Sequence, residues 1–186
     1  MTALPARKIF TVQEYHKMID AGVFVRNSNY ELIEGEIVKK MTQGNYHISC
    51  INRLTMLLAP LLAGKAIVSI QNAVVINNIN EPEPDVTLLK FREDFYVSGK
   101  PTAKDVLLLV EVSDSTIKYD RNVKLRLYAE AKIVEVWLVN LPRQVLEVYT
   151  EPENGKYKVI KKYEKTQTVA PQLLPEIKLK VSDIIG

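Results

Sequence analysis

Val106-Leu-Leu-Leu-Val-Glu-Val112 is the stretch that most limits what this chain can fold into. A near-continuous apolar run of this length reads as a strand covered on both faces, the kind that lies at the centre of an α/β sheet. Glu111 sits inside it. Glutamate is almost never fully buried without a partner. An ionised carboxylate in an apolar interior costs several kcal/mol unless it is paired or bound to a metal. The fold must therefore give Glu111 a lysine or arginine, bring it to the solvent end of its strand, or share it with a metal ion.

The flanking pattern supports a mixed α/β domain. Thr11-Val-Gln-Glu14 predicts a capping box opening a short helix, with Gly22 as its stop. Tyr30 to Val38 predicts two strands about a turn at Gly35. Ile48, Ile51, Leu54, Leu57, Leu58, Leu61 and Leu62 recur at helical spacing, so His47 to Leu62 predicts a helix with a buried face. Pro60 should kink or end it. Ala66 to Ile76 predicts a strand, then a polar turn at Asn77 to Asn80. Pro82 and Pro84 force an extended entry to a strand at Asp85 to Leu89. Residues 90–104 read as a loop. Ser113 to Thr116 offer N-caps for a helix at Lys118 to Ala131, with Tyr119, Val123, Leu127 and Ala131 on one face. Strands are predicted at Ile133 to Val139, Val145 to Tyr149 and Lys156 to Tyr163, the last two around a Glu-Asn-Gly turn, with a short strand and a helical stub between Leu173 and Ile185. The expectation is one domain over residues 1–186.

Composition narrows the function classes. Apolar residues make up 47% of the 186 and charged residues 25%, a globular balance. The single cysteine, Cys50, excludes an internal disulfide framework and reads as a core residue. Met1 to Phe10 lack the apolar stretch of a secretory signal, and no apolar run is long enough to span a membrane. The expectation is a cytoplasmic protein with no membrane partner. A net charge of +3 permits a phosphate-bearing partner without demanding one. No Gly-rich phosphate loop, paired Cys/His zinc spacing or Gly-x-Ser-x-Gly elbow is present. With only His16 and His47 available, a histidine-based hydrolase is disfavoured.

Asp85 raises the same question as Glu111, since it opens a strand that otherwise reads Val-Thr-Leu-Leu. Facing side chains on neighbouring strands lie roughly 5 Å apart. Two carboxylates that close repel, and one takes up a proton. A divalent cation removes the conflict, and oxygen ligands suit Mg²⁺ or Mn²⁺. Glu31, Glu34 and Glu36 form a second acidic group, readable as solvated hairpin surface. Lys124 follows Asp120 by four residues; it is either an exposed helical ion pair or an ammonium reaching back over the sheet. His47 reads as a structural hydrogen-bonder or a contributor to the site. Lys156, Lys158, Lys161, Lys162 and Lys165 read as a protected edge strand or a phosphate-contacting rim.

Pro84-Asp85 followed by Glu111-Val-Ser113 on a later strand resembles the PD-(D/E)XK nuclease signature. Tyr30 to Glu36, His47, Pro84 to Val86, Leu109 to Ser113 with Ser115 and Thr116, Asp120, Lys124, Tyr128 and Glu135 to Val139 resemble the Uma-two family of restriction endonucleases within that superfamily. The resemblance implies a restriction-endonuclease-like α/β core, a mixed central sheet flanked by helices with additional hairpins. It implies Mg²⁺ (or Mn²⁺) held by Asp85 and Glu111, with the Val112 carbonyl as a further ligand and Glu31 assisting, either at a second metal or by holding Lys124. It also implies a nucleic-acid substrate, DNA above all, and a homodimer.

The signature's third position, usually lysine, is Ser113 here, whose hydroxyl supplies no positive charge. Lys124 is the candidate for a migrated lysine. His47 and Ser113 are auxiliary candidates. The expected activity is metal-dependent phosphodiester hydrolysis. The rivals are a catalytically inactive nucleic-acid-binding module on the same fold and a metal hydrolase of small phosphoesters.

Overall fold

The structure is a computed structural model that describes residues 7–24 and 30–186. Most of the segment read as lacking a signal, Met1 to Phe10, lies outside the described residues. In chain order the elements are α1 (Val12–Asp20), β1 (Tyr30–Ile33), β2 (Glu36–Lys39), α2 (Asn45–Leu62), β3 (Ala66–Ile70), β4 (Val86–Lys90) and β5 (Val106–Ser113). Next come α3 (Ile117–Tyr119), a π-helical turn at Asp120–Lys124 and α4 (Leu125–Glu130), which together form one helical segment. The remainder is β6 (Glu135–Asn140), β7 (Val145–Glu153), β8 (Lys156–Glu164), β9 (Thr168–Val169), β10 (Leu179–Lys180) and α5 (Val181–Ile185).

Six strands form one sheet in the order β3-β4-β5-β6-β7-β8. Every neighbouring pair is antiparallel except β5 and β6, which run parallel and are joined through the α3–α4 segment. Parallel neighbours need such a crossover, whereas β6–β7 and β7–β8 close with short turns. The predicted buried strand is β5, and it lies inside the sheet. Side chains alternate along it. Leu108, Val110 and Val112 join a core with Cys50, Leu54 and Leu58 of α2. Leu109 faces the other way, into a core with Leu125 and Tyr128 of α4. Each fully buried leucine contributes about 1.5–3 kcal/mol, so both faces of the sheet need their helices.

Local chemistry explains the smaller elements that position the site. The capping box closes as the sequence predicts: Thr11 Oγ1 accepts from the Glu14 N–H, and the Glu14 carboxylate accepts from the Thr11 N–H. The turn between β1 and β2 uses Gly35 at φ +73°, and a Cβ there would run into the Ile9 side chain. The β1–β2 hairpin is tied down by a pair of backbone hydrogen bonds between Leu32 and Glu81.

Three expectations need correction. The strand predicted over Ala66 to Ile76 stops at Ile70, because Gln71 turns into the left-handed region at φ +52°. Ile48 and Leu61 are exposed, so the buried stripe of α2 is narrower than its periodicity suggests. Pro60, by contrast, lies in the last turn of α2, which ends two residues later as its position predicts. Thr116 stands at the N-cap of the crossover helix but makes no side-chain cap bond there; its hydroxyl and that of Ser113 donate instead to the Asp120 carboxylate. Among the described residues no helix is long and apolar enough to cross a membrane.

Candidate active site

The antiparallel register of β4 and β5 pairs Val86 with Val110. Continued by one residue, it sets Asp85 opposite Glu111 where β4 begins and β5 nears its end. Both are buried. Asp85 Oδ2 accepts from the Val112 N–H at 2.8 Å. Its Oδ1 lies 3.0 Å from His47 Nε2 and accepts from Gln71 Nε2 at 3.3 Å. Burial alone would raise the pKa of Asp85, but the hydrogen bond and charge of His47 and the Val112 N–H outweigh it and hold the carboxyl below its ordinary range.

Lys124 comes from the π-helical turn. Such turns recur at functional sites because they re-aim side chains within a helix. Its ammonium is buried, 3.1 Å from Glu31 Oε2 and 3.3 Å from Glu111 Oε1. Of the two readings open for Lys124, the structure has the one that reaches back over the sheet. Asp120 takes its hydrogen bonds from Ser113 and Thr116 instead. Burial works against the Lys124 charge, yet Glu111, Glu31, Asp120 and Asp85 together hold it firmly protonated. Glu31 also accepts from the Glu83 N–H at 3.2 Å, so this carboxylate is a buried clamp on Lys124, unlike the exposed Glu34 and Glu36 of the same hairpin.

Glu111 is the strained member. Burial pushes it up to about 8, and Asp85 and Asp120 add to that. Lys124 and the hydroxyl of Tyr128, which donates to Glu111 Oε1 at 2.5 Å, oppose the rise without cancelling it. Lys124 pairs directly with Glu31 and Glu111 alone among the described residues, so the pocket keeps an excess of hard carboxyl oxygens over cations. That donor chemistry suits a small divalent cation. Among the described residues no three His, Cys, Asp or Glu side chains are grouped to hold an ion by themselves. Magnesium ordinarily takes one or two carboxylates and completes its shell with water and other oxygens, so a two-carboxylate site is compatible with it.

The residues open on a cleft of about 430 Å³. Glu31, His47, Asp85, Glu111, Val112 and Lys124 all line it. Ser113 does not; it is fully buried behind the wall, bonded to Asp120. The positive rim comes from Lys39, the last residue of β2, and Lys40 just after it. The lysine-rich strand is β8, at the edge of the sheet away from β4 and β5, and none of its lysines lines the cleft. His16 is held elsewhere, against Glu81 and Lys100. Sequence reasoning gave no role to Tyr128 or Gln71. Tyr128 was within reach, since it follows Lys124 by one helical turn. Gln71 carried no signal, because it lay in a stretch read as plain strand.

A family model described as "Putative restriction endonuclease" (Uma2) matches residues 12–182 of the chain. A solved structure of similar fold, described as a putative nuclease belonging to DUF820 from Anabaena variabilis, superposes with a TM-score of 0.72 at 17% identity, covering 95% of this chain and 97% of that one. No curated protein matches the chain.

Proposed function

We propose, because the chain belongs to the Uma2 restriction endonuclease family, that residues 1–186 form one restriction-endonuclease-like domain and act as a metal-dependent nuclease on DNA. The observation that carries this reading is the juxtaposition of buried Asp85 and Glu111 with the buried ammonium of Lys124 in one cleft.

Asp85, Glu111 and the Val112 carbonyl would hold Mg²⁺ or Mn²⁺. Such an ion, when bound, polarises a phosphoryl oxygen and lowers the pKa of a coordinated water. The protein's own part is positional. His47, Gln71 and the Val112 N–H fix the Asp85 carboxylate in one orientation. Glu31 fixes Lys124, and the Lys124 ammonium stands where negative charge would build on a phosphodiester entering the cleft. Lys124 thereby supplies the positive charge that Ser113 lacks. Lys39 and Lys40 at the mouth would attract the phosphate backbone.

The test is cleavage of DNA with Mg²⁺ or Mn²⁺ by wild type, Asp85→Ala and Lys124→Ala. Activity is expected in the wild type and lost in both variants. Equal activity in all three overturns the assignment. A second reading, an inactive nucleic-acid-binding module, is favoured by one observation: Lys124 already pairs with Glu111. It predicts no rise in melting temperature on adding Mg²⁺ or Mn²⁺, whereas the nuclease reading predicts a rise that Asp85→Ala abolishes. A parallel assay on a small phosphate monoester tests the small-substrate alternative.

A further inference from the structure

Buried polar atoms are almost always hydrogen-bonded, and each exception calls for an explanation. Among the described residues two buried side-chain atoms lack a partner: Thr87 Oγ1 and Tyr119 Oη. They lie in different settings. Thr87 is fully buried near the start of β4 and does not line the cleft. Tyr119 is part of the cleft wall. It closes α3, directly before the π-helical turn that delivers Lys124.

The surroundings of Tyr119 restrict what its hydroxyl can do. Burial and the charges of Glu31, Asp120 and Glu34 push its ionisation up to about 12, against the opposing charge of Lys124. It therefore stays a neutral O–H donor near pH 7. The carboxylates close enough to act on it electrostatically are engaged elsewhere: Glu31 with Lys124 and the Glu83 N–H, Asp120 with Ser113 and Thr116, and Glu34 with Arg126. A donor on a residue of the cleft wall, left without an internal acceptor, is available to an acceptor that enters the cleft. In a nuclease the arriving acceptors are phosphate oxygens. A neutral donor suits them, since it grips the anion without adding a charge beside the Glu31–Lys124–Glu111 array.

We propose that Tyr119 is a substrate-positioning residue: its hydroxyl donates a hydrogen bond to a non-bridging oxygen of the phosphodiester held in the cleft. The inference rests on the nuclease reading above. It also explains why the hydroxyl is tolerated. A buried unmade hydrogen bond costs the free protein stability, and such costs persist where binding uses them.

Tyr119→Phe removes the oxygen and little else, with Thr87→Val as the control that deletes the other orphan away from the cleft. The readouts are Mg²⁺-dependent cleavage of a labelled DNA, split into kcat and KM, and the melting temperature with and without Mg²⁺. Tyr119→Phe is expected to lose about tenfold in kcat/KM, mostly through KM, as for one charge-assisted hydrogen bond. Its melting temperature should hold or rise, and its Mg²⁺-induced rise should match that of the wild type. Thr87→Val should cleave as the wild type does. Cleavage by Tyr119→Phe at the wild-type rate overturns the inference alone. So does a loss of cleavage matched by a fall in melting temperature, since that marks a structural hydroxyl. A wild type that neither cleaves nor gains stability with Mg²⁺ overturns the nuclease reading, and the inference with it.

Discussion

Two buried glutamates in the same sheet have opposite lives. Glu147 on β7 and Glu111 on β5 are each almost fully shielded from solvent. Glu147 is fully served: Arg121 donates to both of its oxygens, Tyr149 Oη donates at 2.7 Å and Asn140 Nδ2 at 3.2 Å. Burial would raise its pKa, but those donors reverse the effect and leave it below its ordinary value. Glu111 has one hydroxyl and a shared ammonium, and stays raised to about 8. Both cations come from the same π-helical turn, Arg121 and Lys124. Arg121 pairs with one carboxylate and remains a third exposed, whereas buried Lys124 is divided between Glu31 and Glu111. A satisfied buried carboxylate is a brace. One left short of partners marks a place where the protein tolerates strain for another purpose.

The largest expected effect breaks the two apart by function. Glu111→Gln should lower metal-dependent DNA cleavage by about 1000-fold, about 4 kcal/mol of transition-state stabilisation. Its stability in a chelating buffer should not fall, because the amide removes a carboxyl that the site cannot fully solvate. Urea melts beside cleavage assays check both halves. A stability loss as large as the activity loss would place Glu111 among the braces.

The next effect falls on the other glutamate. Glu147→Gln should destabilise the protein by about 2–3 kcal/mol, at or just below the usual cost of breaking a buried pair because Arg121 keeps some water. The Mg²⁺-induced rise in melting temperature should be unchanged. Acidity sharpens the contrast. A carboxyl whose folded value lies below its unfolded one of about 4.3 stabilises the native state above that pH. Its contribution is lost as the pH falls through the lower, folded value. The gap between wild type and Glu147→Gln should therefore be full at pH 6 and close as the solution is taken well below pH 4. A gap independent of pH would mean that the glutamate braces β7 by shape rather than by charge.

The two glutamates also differ in how far the sequence announced them. Glu111 stood out because it interrupts an unbroken apolar strand. Glu147 sits in Val145-Leu-Glu-Val-Tyr149, where alternation looks ordinary and nothing indicates that its face is buried. Its burial depends on Arg121 arriving from another element, 26 positions away. The same limit hid the π-helical turn: Asp120 to Lys124 has no sequence mark separating it from an α-helix, yet that turn delivers both cations. Local chemistry was readable where it is local, as in the Thr11–Glu14 capping box and the turn at Gly35. The break at Gln71 was not, because a left-handed glutamine carries no side-chain signature. The proximity of Glu31 to Lys124 came from the family resemblance rather than from spacing, since a distance between a hairpin and a distant helix lies beyond any periodicity.

The smallest effect tests where the positive charge of the nuclease signature resides. Ser113 holds the position that usually carries lysine, two residues after Glu111 and on the same side of the strand. Here the side chain is fully buried and gives its hydrogen to Asp120. Asp120 keeps a second donor in Thr116, so removing the Ser113 hydroxyl leaves the carboxyl partly served. Ser113→Ala should cost about 1 kcal/mol, the ordinary worth of one hydrogen bond, and cleavage should stay within about threefold of wild type. Lys124→Ala, by contrast, should abolish it. If Ser113→Ala lost activity as deeply as Lys124→Ala, the signature position would itself be taking part in the chemistry. The division between Glu111 and Glu147 would then need a third category: a buried hydroxyl that braces Asp120 and acts on substrate through it.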